Sequence, residues 1–321
     1  MLRYAGRRVL EAGARLFVIS LLLFLVLQVP PGGPADIFAA DPSASPEAVA
    51  RIRALWGLDR PVLVQYGVWL RRAVSGDWGD SFSERRPVAT AVLERVPATL
   101  LLTGSALAFS LGAGVLLGTV AAATRHRGLQ GTVQALAVVG MSVPTFWSGT
   151  LVLLAFAVYL RWLPAGGMAT IGAGFSLGDR LLHLLGPTVV LGSVYVAQWT
   201  RYVQAGLAEV LREDYIRTAR ANGVPEVALL LRHALPNAAI PLVTIVGLEI
   251  PRLLAGAMVT EVVFAWPGLG RLLTAGLLTR DYPVAMGVLM MLAVAVVLAN
   301  LATDLAYRWI DPRVQLAGPA R

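Results

Sequence analysis

The sequence predicts an all-α membrane protein with six transmembrane helices and a polar helical insertion after the first. Two observations carry that fold class. The composition is 57% hydrophobic and 14% charged, with a mean hydropathy of +0.68, well outside the soluble globular average. Several apolar runs also reach the roughly twenty residues that cross a hydrocarbon core.

Composition excludes several chemistries. The basic residues are all arginine, so there is no lysine for a Walker A P-loop, a Schiff base or a general base. The absence of cysteine removes disulfides, thiolate catalysis and cysteine metal sites. The net charge of +8 is spread among apolar segments, so topology explains it better than nucleic acid does.

Arg3, Arg7, Arg8 and Arg15 lead into an apolar run from Leu16 to Val29, stopped by Pro30-Pro31-Gly32-Gly33-Pro34. The competing reading is a cleaved signal peptide, with Ala39-Ala40 at a plausible distance. A retained first span is preferred. Residues 1–30 are then a cytoplasmic tail and helix 1, and 31–96 an extracytoplasmic helical region. Ser45-Pro46-Glu47 starts a helix there, with serine as cap. Val49, Ile52, Leu55 and Trp56 share a face, and Gly57 ends it. A second helix is expected over Pro61–Val74, with Val62, Tyr66, Trp69 and Ala73 at helical spacing. Packing explains both faces, and a docking surface for an outer partner is the sharper alternative.

Residues 97–310 form the core. The second span covers about Ala98 to Thr124, where Gly114-xxx-Gly118 permits close helix approach. The third, about Val133 to Leu160, is broken by Gly140 and Pro144, and such breaks persist only where neighbours or cavity water satisfy the freed backbone. Pro144 is therefore a candidate for the translocation pathway, with a plain packing kink as the alternative. Arg161–Gly186 reads as a loop, Pro187 to about Leu207 as the fourth span, and about Ala238 to Phe264 as the fifth. Trp266–Tyr282 reads as a second loop, Pro283 to about Tyr307 as the sixth span, and 311–321 as a tail.

Between the fourth and fifth spans lies a charged stretch, 209–237. Asp214-Tyr215-Ile216-Arg217-Thr218-Ala219-Arg220-Ala221-Asn222-Gly223 makes about two helical turns closed by glycine. With the N-terminus inside, interior segments hold fourteen arginines and the two short outer loops hold four. That bias places both termini and the charged stretch in the cytoplasm.

No catalytic constellation emerges. His126, His183 and His233 have no ligand spacing, and no metal site is expected. Gly140-Met141-Ser142-Val143-Pro144 fails the nucleophile-elbow pattern at its last position. The remaining polar candidates are intramembrane charges. Glu249 and Arg252 lie three apart on one face of the fifth span, where ionisable groups face protein or a water-filled cavity. A pathway role and a structural pair stand about equal. Asp304 and Arg308 read as an interfacial pair.

Taken in order, Leu2-Arg3-Tyr4, Pro31-Gly32-Gly33-Pro34-Ala35, Gly57-Leu58-Asp59-Arg60-Pro61 and Gly76-Asp77-Trp78-Gly79-Asp80-Ser81 form a recurring pattern. Pro144-Thr145-Phe146-Trp147, Leu163-Pro164-Ala165-Gly166-Gly167 and Asp214–Gly223 with Arg232-His233-Ala234-Leu235-Pro236-Asn237-Ala238 continue it. Glu261–Gly270, Arg280-Asp281-Tyr282-Pro283 and Asp311-Pro312-Arg313 complete it. The chain resembles the permease subunit of a binding-protein-dependent ABC importer, in the dipeptide/oligopeptide/nickel branch. The resemblance departs from that branch where Gly33 replaces a frequent aspartate and where Glu249 and Pro251-Arg252 are more polar than usual. Residues 217–219 read Arg-Thr-Ala in place of Glu-Ala-Ala.

The resemblance implies the type I ABC importer permease (MetI-like) fold and uptake of di- or oligopeptides. A nickel chelate, glutathione, another small solute, or an ion-coupled transporter built on Glu249 and Arg252 stay as alternatives. It implies a second homologous permease as heterodimer partner, two ABC ATPase subunits and an extracytoplasmic solute-binding protein, all at the inner membrane's lipid bilayer, with no nucleic acid. ATP and Mg would be bound by the ATPases, leaving this chain without a cofactor. Within the resemblance, 209–237 is the EAA-like coupling loop that docks on an ATPase. Asp214 caps its helix and meets the dipole, Ala219 and Ala221 keep it slim, Arg217, Thr218 and Arg220 supply contacts, and Gly223 turns the chain out.

Overall fold

The computed structural model describes residues 2–29, 45–55, 57–124 and 127–310. The motifs at 31–35 and 311–313, the tail 311–321 and His126 lie outside them. So do the side chains of Asp304 and Arg308, and of Val49, Ile52, Leu55 and Trp56. The described residues are overwhelmingly helical, as expected of a chain whose backbone must satisfy itself in lipid. By length and composition, four helical stretches among the described residues can cross a membrane: Gly6–Leu27, Val88–Ala123, Leu177–Val210 and Tyr282–Thr303.

The chain divides into two compact units, 1–99 with 267–298 and 100–266 with 299–321. The first begins with α1 (Leu2–Leu27), followed by α2 (Pro46–Leu55), α3 (Val62–Val74) and α4 (Val88–Leu93). Tyr66 of α3 is buried; its hydroxyl shares a 2.9 Å hydrogen bond with Ser20 of α1, and Phe17 and Phe24 pack edge-on against its ring. These contacts tie α1 to the rest of the unit. They also assign the inner face of α3 to packing.

Residues read as a loop after the fifth span contain a helix, α13 (Leu269–Leu278). Leu269, Leu272, Leu273 and Gly276 are buried on one side of it. Their i, i+3, i+4, i+7 spacing is a helix signal that the flanking glycines and prolines obscured. Its first turn is pinned by Thr99, whose Oγ1 accepts from the Leu269 N–H at 2.8 Å. After it comes α14 (Tyr282–Ile310), preceded by the fully buried Asp281. One Asp281 oxygen accepts from Ser81 Oγ (2.6 Å), Ser83 N (2.9 Å) and Ser83 Oγ (2.8 Å). The other takes the Val284 N–H at 3.3 Å, an N-cap contact. Two of the sequence patterns, 76–81 and 280–283, therefore meet in one hydrogen-bonded knot.

The second unit is built around α8 (Leu177–Val210), against which α5 (Val96–Ala123) packs closely. A Cβ on Gly118 would stand 2.7 Å from both the Thr200 carbonyl oxygen and Val203, and one on Gly114 would collide with Trp199. The expected close approach is thus real. Trp199 Nε1 donates to Ser110 Oγ at 3.1 Å, and Ser105 and Thr188 share a 2.8 Å bond. The helix starts ten residues before the expected Pro187. Ser176 caps it by accepting from the Asp179 N–H, and Pro187 is carried inside the helix. The loop expected to reach Gly186 therefore ends at Ser176.

The third span is two pieces: α6 (Arg127–Ser142), a break at Val143–Pro144, then α7 (Thr145–Val152) running into a π-helical stretch, Leu153–Tyr159. Pro144 causes the break; Gly140 stays within α6. The expected fifth span is α12 (Ile240–Val263), with Pro251 inside. At 1.5 Å per residue it is about 36 Å long, enough to cross.

Candidate functional site

Between α8 and α12 the charged stretch folds as α9 (Asp214–Ala221). Ile216 is its anchor: it is the single apolar residue among charged neighbours that is fully buried, and α9 packs through that side on the π-helical stretch Leu229–Ala234. Asp214, Arg217, Thr218, Arg220 and Ala221 are exposed, and Ala219 is half-buried beside Ile216. Gly223 has φ +78°, the left-handed turn that only glycine adopts without strain. Pro225 then caps a short helical turn, α10 (Glu226–Ala228), which leads through the π-helical stretch into α11 (Leu235–Ala238).

One expectation for this helix is corrected. Asp214 is its first residue, not its cap; Glu213 holds that place in extended backbone, without a side-chain bond. The Asp214 carboxylate instead accepts from Arg217 at 3.3 Å, while its carbonyl accepts from Thr218 Oγ1 at 3.0 Å. It still meets the positive end of the dipole. Ala219 is half-buried and Ala221 exposed, so Ala221 is the more open of the two small residues. Glu226 was not singled out from sequence, yet it holds Arg220 with a 2.6 Å and a 3.2 Å bond. These bonds raise the guanidinium further above its ordinary value and fix the geometry of the exit turn.

The pathway candidates fall into two places. Glu249 and Arg252 are joined: Arg252 Nη1 donates to Glu249 Oε1 at 2.8 Å, and Gln198 of α8 donates to the same oxygen at 2.9 Å. Glu249 is 5% exposed, and its Oε2 is buried without a hydrogen-bond partner among the described residues. The Arg252 side chain is 75% exposed. A guanidinium that open at mid-span faces water or protein rather than lipid. Gln198 was not predicted, although a glutamine within an apolar span was the available signal. Pro144 takes no part in this network; it is exposed beside Phe146 and Trp147, which are 56% and 52% exposed. Among the described residues no group of histidine, cysteine or acidic side chains is placed to hold a metal ion.

Two family descriptions match the chain. "Binding-protein-dependent transport system inner membrane component" covers residues 114–316, and the N-terminal membrane component of the same systems covers residues 1–103. The chain belongs to this family of binding-protein-dependent ABC importer permeases. The permease is 36% identical over 98% of its length, and all of the other's, to the oligopeptide transport system permease protein AppB of Bacillus subtilis. It is 39% identical over 98% of its length, and 99% of the other's, to the glutathione transport system permease protein GsiC of Escherichia coli K12. Among solved structures it resembles a chain of the MetNI methionine ABC transporter in inward-facing conformations. The match has a TM-score of 0.57 and 21% identity, covering 68% of this chain and 96% of that one. That likeness supports the MetI-like fold. The permease is a transport subunit of a multi-pass membrane system, and in such systems partner proteins hydrolyse ATP.

Proposed function

We propose that this permease forms, with a second and different permease subunit, the pathway for ATP-driven uptake of di- or oligopeptides. An extracytoplasmic binding protein delivers the solute, and two ATPase subunits bind ATP and Mg. Both termini and α9 face the cytoplasm in this reading, following the arginine bias. The peptide assignment leans on the relatives' names; glutathione, itself a short peptide, falls within it.

The observation that carries the mechanism is the mounting of α9. One buried isoleucine and a left-handed glycine hold a two-turn helix whose other faces are charged and open. Lacking lysine, the chain has no P-loop of its own. An outside ATPase therefore needs a rigid handle, and α9 has that form. Force on α9 passes into α8 before it and, through α10 and α11, into α12 after it. Those two helices carry Gln198, Glu249 and Arg252, so the handle and the polar pathway share elements.

The test is uptake of a labelled tripeptide by the reconstituted importer. Arg217→Glu and Ala221→Trp place the wrong charge or bulk on the open face without touching Ile216. Both are expected to abolish uptake and ATPase co-purification while the permease remains inserted. Wild-type uptake in both would overturn the coupling role.

A further inference from the structure

The first unit contains a cavity of about 660 Å³ that neither the coupling helix nor the polar pathway uses. Its walls come from the last turn of α1, from α3, from the 77–85 loop and from the start of α14. All belong to the same unit. Its size is within the roughly 300–1,000 Å³ of small-molecule pockets. The position matters: α1 and α14 both cross the membrane by length and composition, and the cavity sits where one ends and the other begins. It therefore lies at the level of the membrane–water boundary.

The lining combines apolar, aromatic and cationic side chains. Phe24 and Leu27 of α1 and Met286 of α14 supply apolar walls from within the spans. Trp69, Trp78 and Tyr282 add amphipathic rings of the type that gather at the headgroup level. Arg60, Arg72 and Arg85 then line the cavity from outside the spans. All three are exposed, and none has an acidic partner among the described residues. Two aspartates also line it. Asp77 is occupied in capping its own turn through the Gly79 N–H at 2.9 Å, and Asp80 is exposed. Apolar walls beside a net cationic set of side chains match a molecule with an acyl chain and an anionic head. A free anion would not need the apolar walls.

We propose that this cavity is a binding site for an anionic phospholipid, with its phosphate held by Arg60, Arg72 and Arg85 and an acyl chain against Phe24, Leu27 and Met286. Arginine suits that role because its planar fork pairs with phosphate oxygens. The bound lipid would fasten α1 and α3 to the start of α14, the same joint that Asp281 closes by hydrogen bonds on the other wall.

The assembled importer is purified in mild detergent, and co-purifying lipid is quantified by mass spectrometry. Binding is then titrated with nanodiscs containing increasing phosphatidylglycerol in phosphatidylcholine. Each arginine near an anionic lipid contributes about a factor of five, so Arg60→Gln/Arg72→Gln/Arg85→Gln should lower phosphatidylglycerol affinity roughly a hundredfold. Leu27→Asn, which changes the apolar walls alone, should lower retention while leaving the arginines intact. Undiminished phosphatidylglycerol in the triple variant would overturn the site. Displacement of the lipid by millimolar inorganic phosphate would assign the arginines to free anion instead. If the triple variant keeps its lipid but loses the binding protein, the arginines are a protein contact and the lipid reading fails. None of these readouts depends on which solute is carried.

Discussion

Asp281 shows how a single residue can close a joint that its sequence position does not reveal. It is fully buried and gathers donors from Ser81, Ser83 and Val284. Asp281→Ala strands the buried Ser81 and Val284 donors, each costing about 1–3 kcal/mol when left unsatisfied. The expected loss is about 3 kcal/mol or more, against about 1 kcal/mol for Ser83→Ala, which removes one neutral donor. Thermal unfolding of the purified permease checks the order: a midpoint for Asp281→Ala no lower than that for Ser83→Ala would contradict the knot. The two patterns were visible in the sequence, but nothing in it joined residues two hundred positions apart. Glu249 and Arg252 were legible for a different reason, since charges are rare in a span and a spacing of three puts them on one face. Replacing either by glutamine breaks the ion pair but leaves the helix. Uptake should fall by about tenfold, the effect of losing roughly 1.4 kcal/mol. Unchanged affinity and rate in both variants would make the pair structural.

At the scale of elements, spacing was a better guide to packing than to helix ends. Gly114-xxx-Gly118 announced a close crossing, and α8 occupies the space a side chain would need. Gly118→Leu should therefore prevent α5 from seating and lower the yield of folded permease. Gly112→Ala, which meets open space, should be neutral or slightly stabilising from helix propensity. Fluorescence-detected size exclusion separates the two; equal profiles would mean the crossing is not constrained at Gly118. Boundaries failed where local signals conflicted. Pro187 looked like a start, yet the cap at Ser176 set the start and the proline was absorbed. Leu269–Leu278 was hidden by Gly268 and Gly270, although its leucines keep helical spacing. Ile216 is the smallest such case: one fully buried apolar residue in a charged stretch marks the buried face of α9.

For the whole molecule, the missing lysine means that energy comes from a partner, and the coupling proposal has it enter at the polar α9. A chain with no P-loop must be driven, and the family's importers are driven by separate ATPases. An ion-coupled mechanism through Glu249 and Arg252 would instead keep running when ATP is depleted and stop with a proton uncoupler. The proposed coupling requires that an ATPase grip the open face of α9. The chain contains no cysteine, so Ala221→Cys introduces one reporter at the outermost small residue of that face. Bifunctional thiol cross-linking in the assembled importer, with cysteines introduced on the ATPase surface, tests the contact directly. Docking at α9 predicts a permease–ATPase product from Ala221→Cys and none from Gly112→Cys on α5. Cross-linking absent from Ala221→Cys across the scanned ATPase surface, in a complex that still transports, would contradict it.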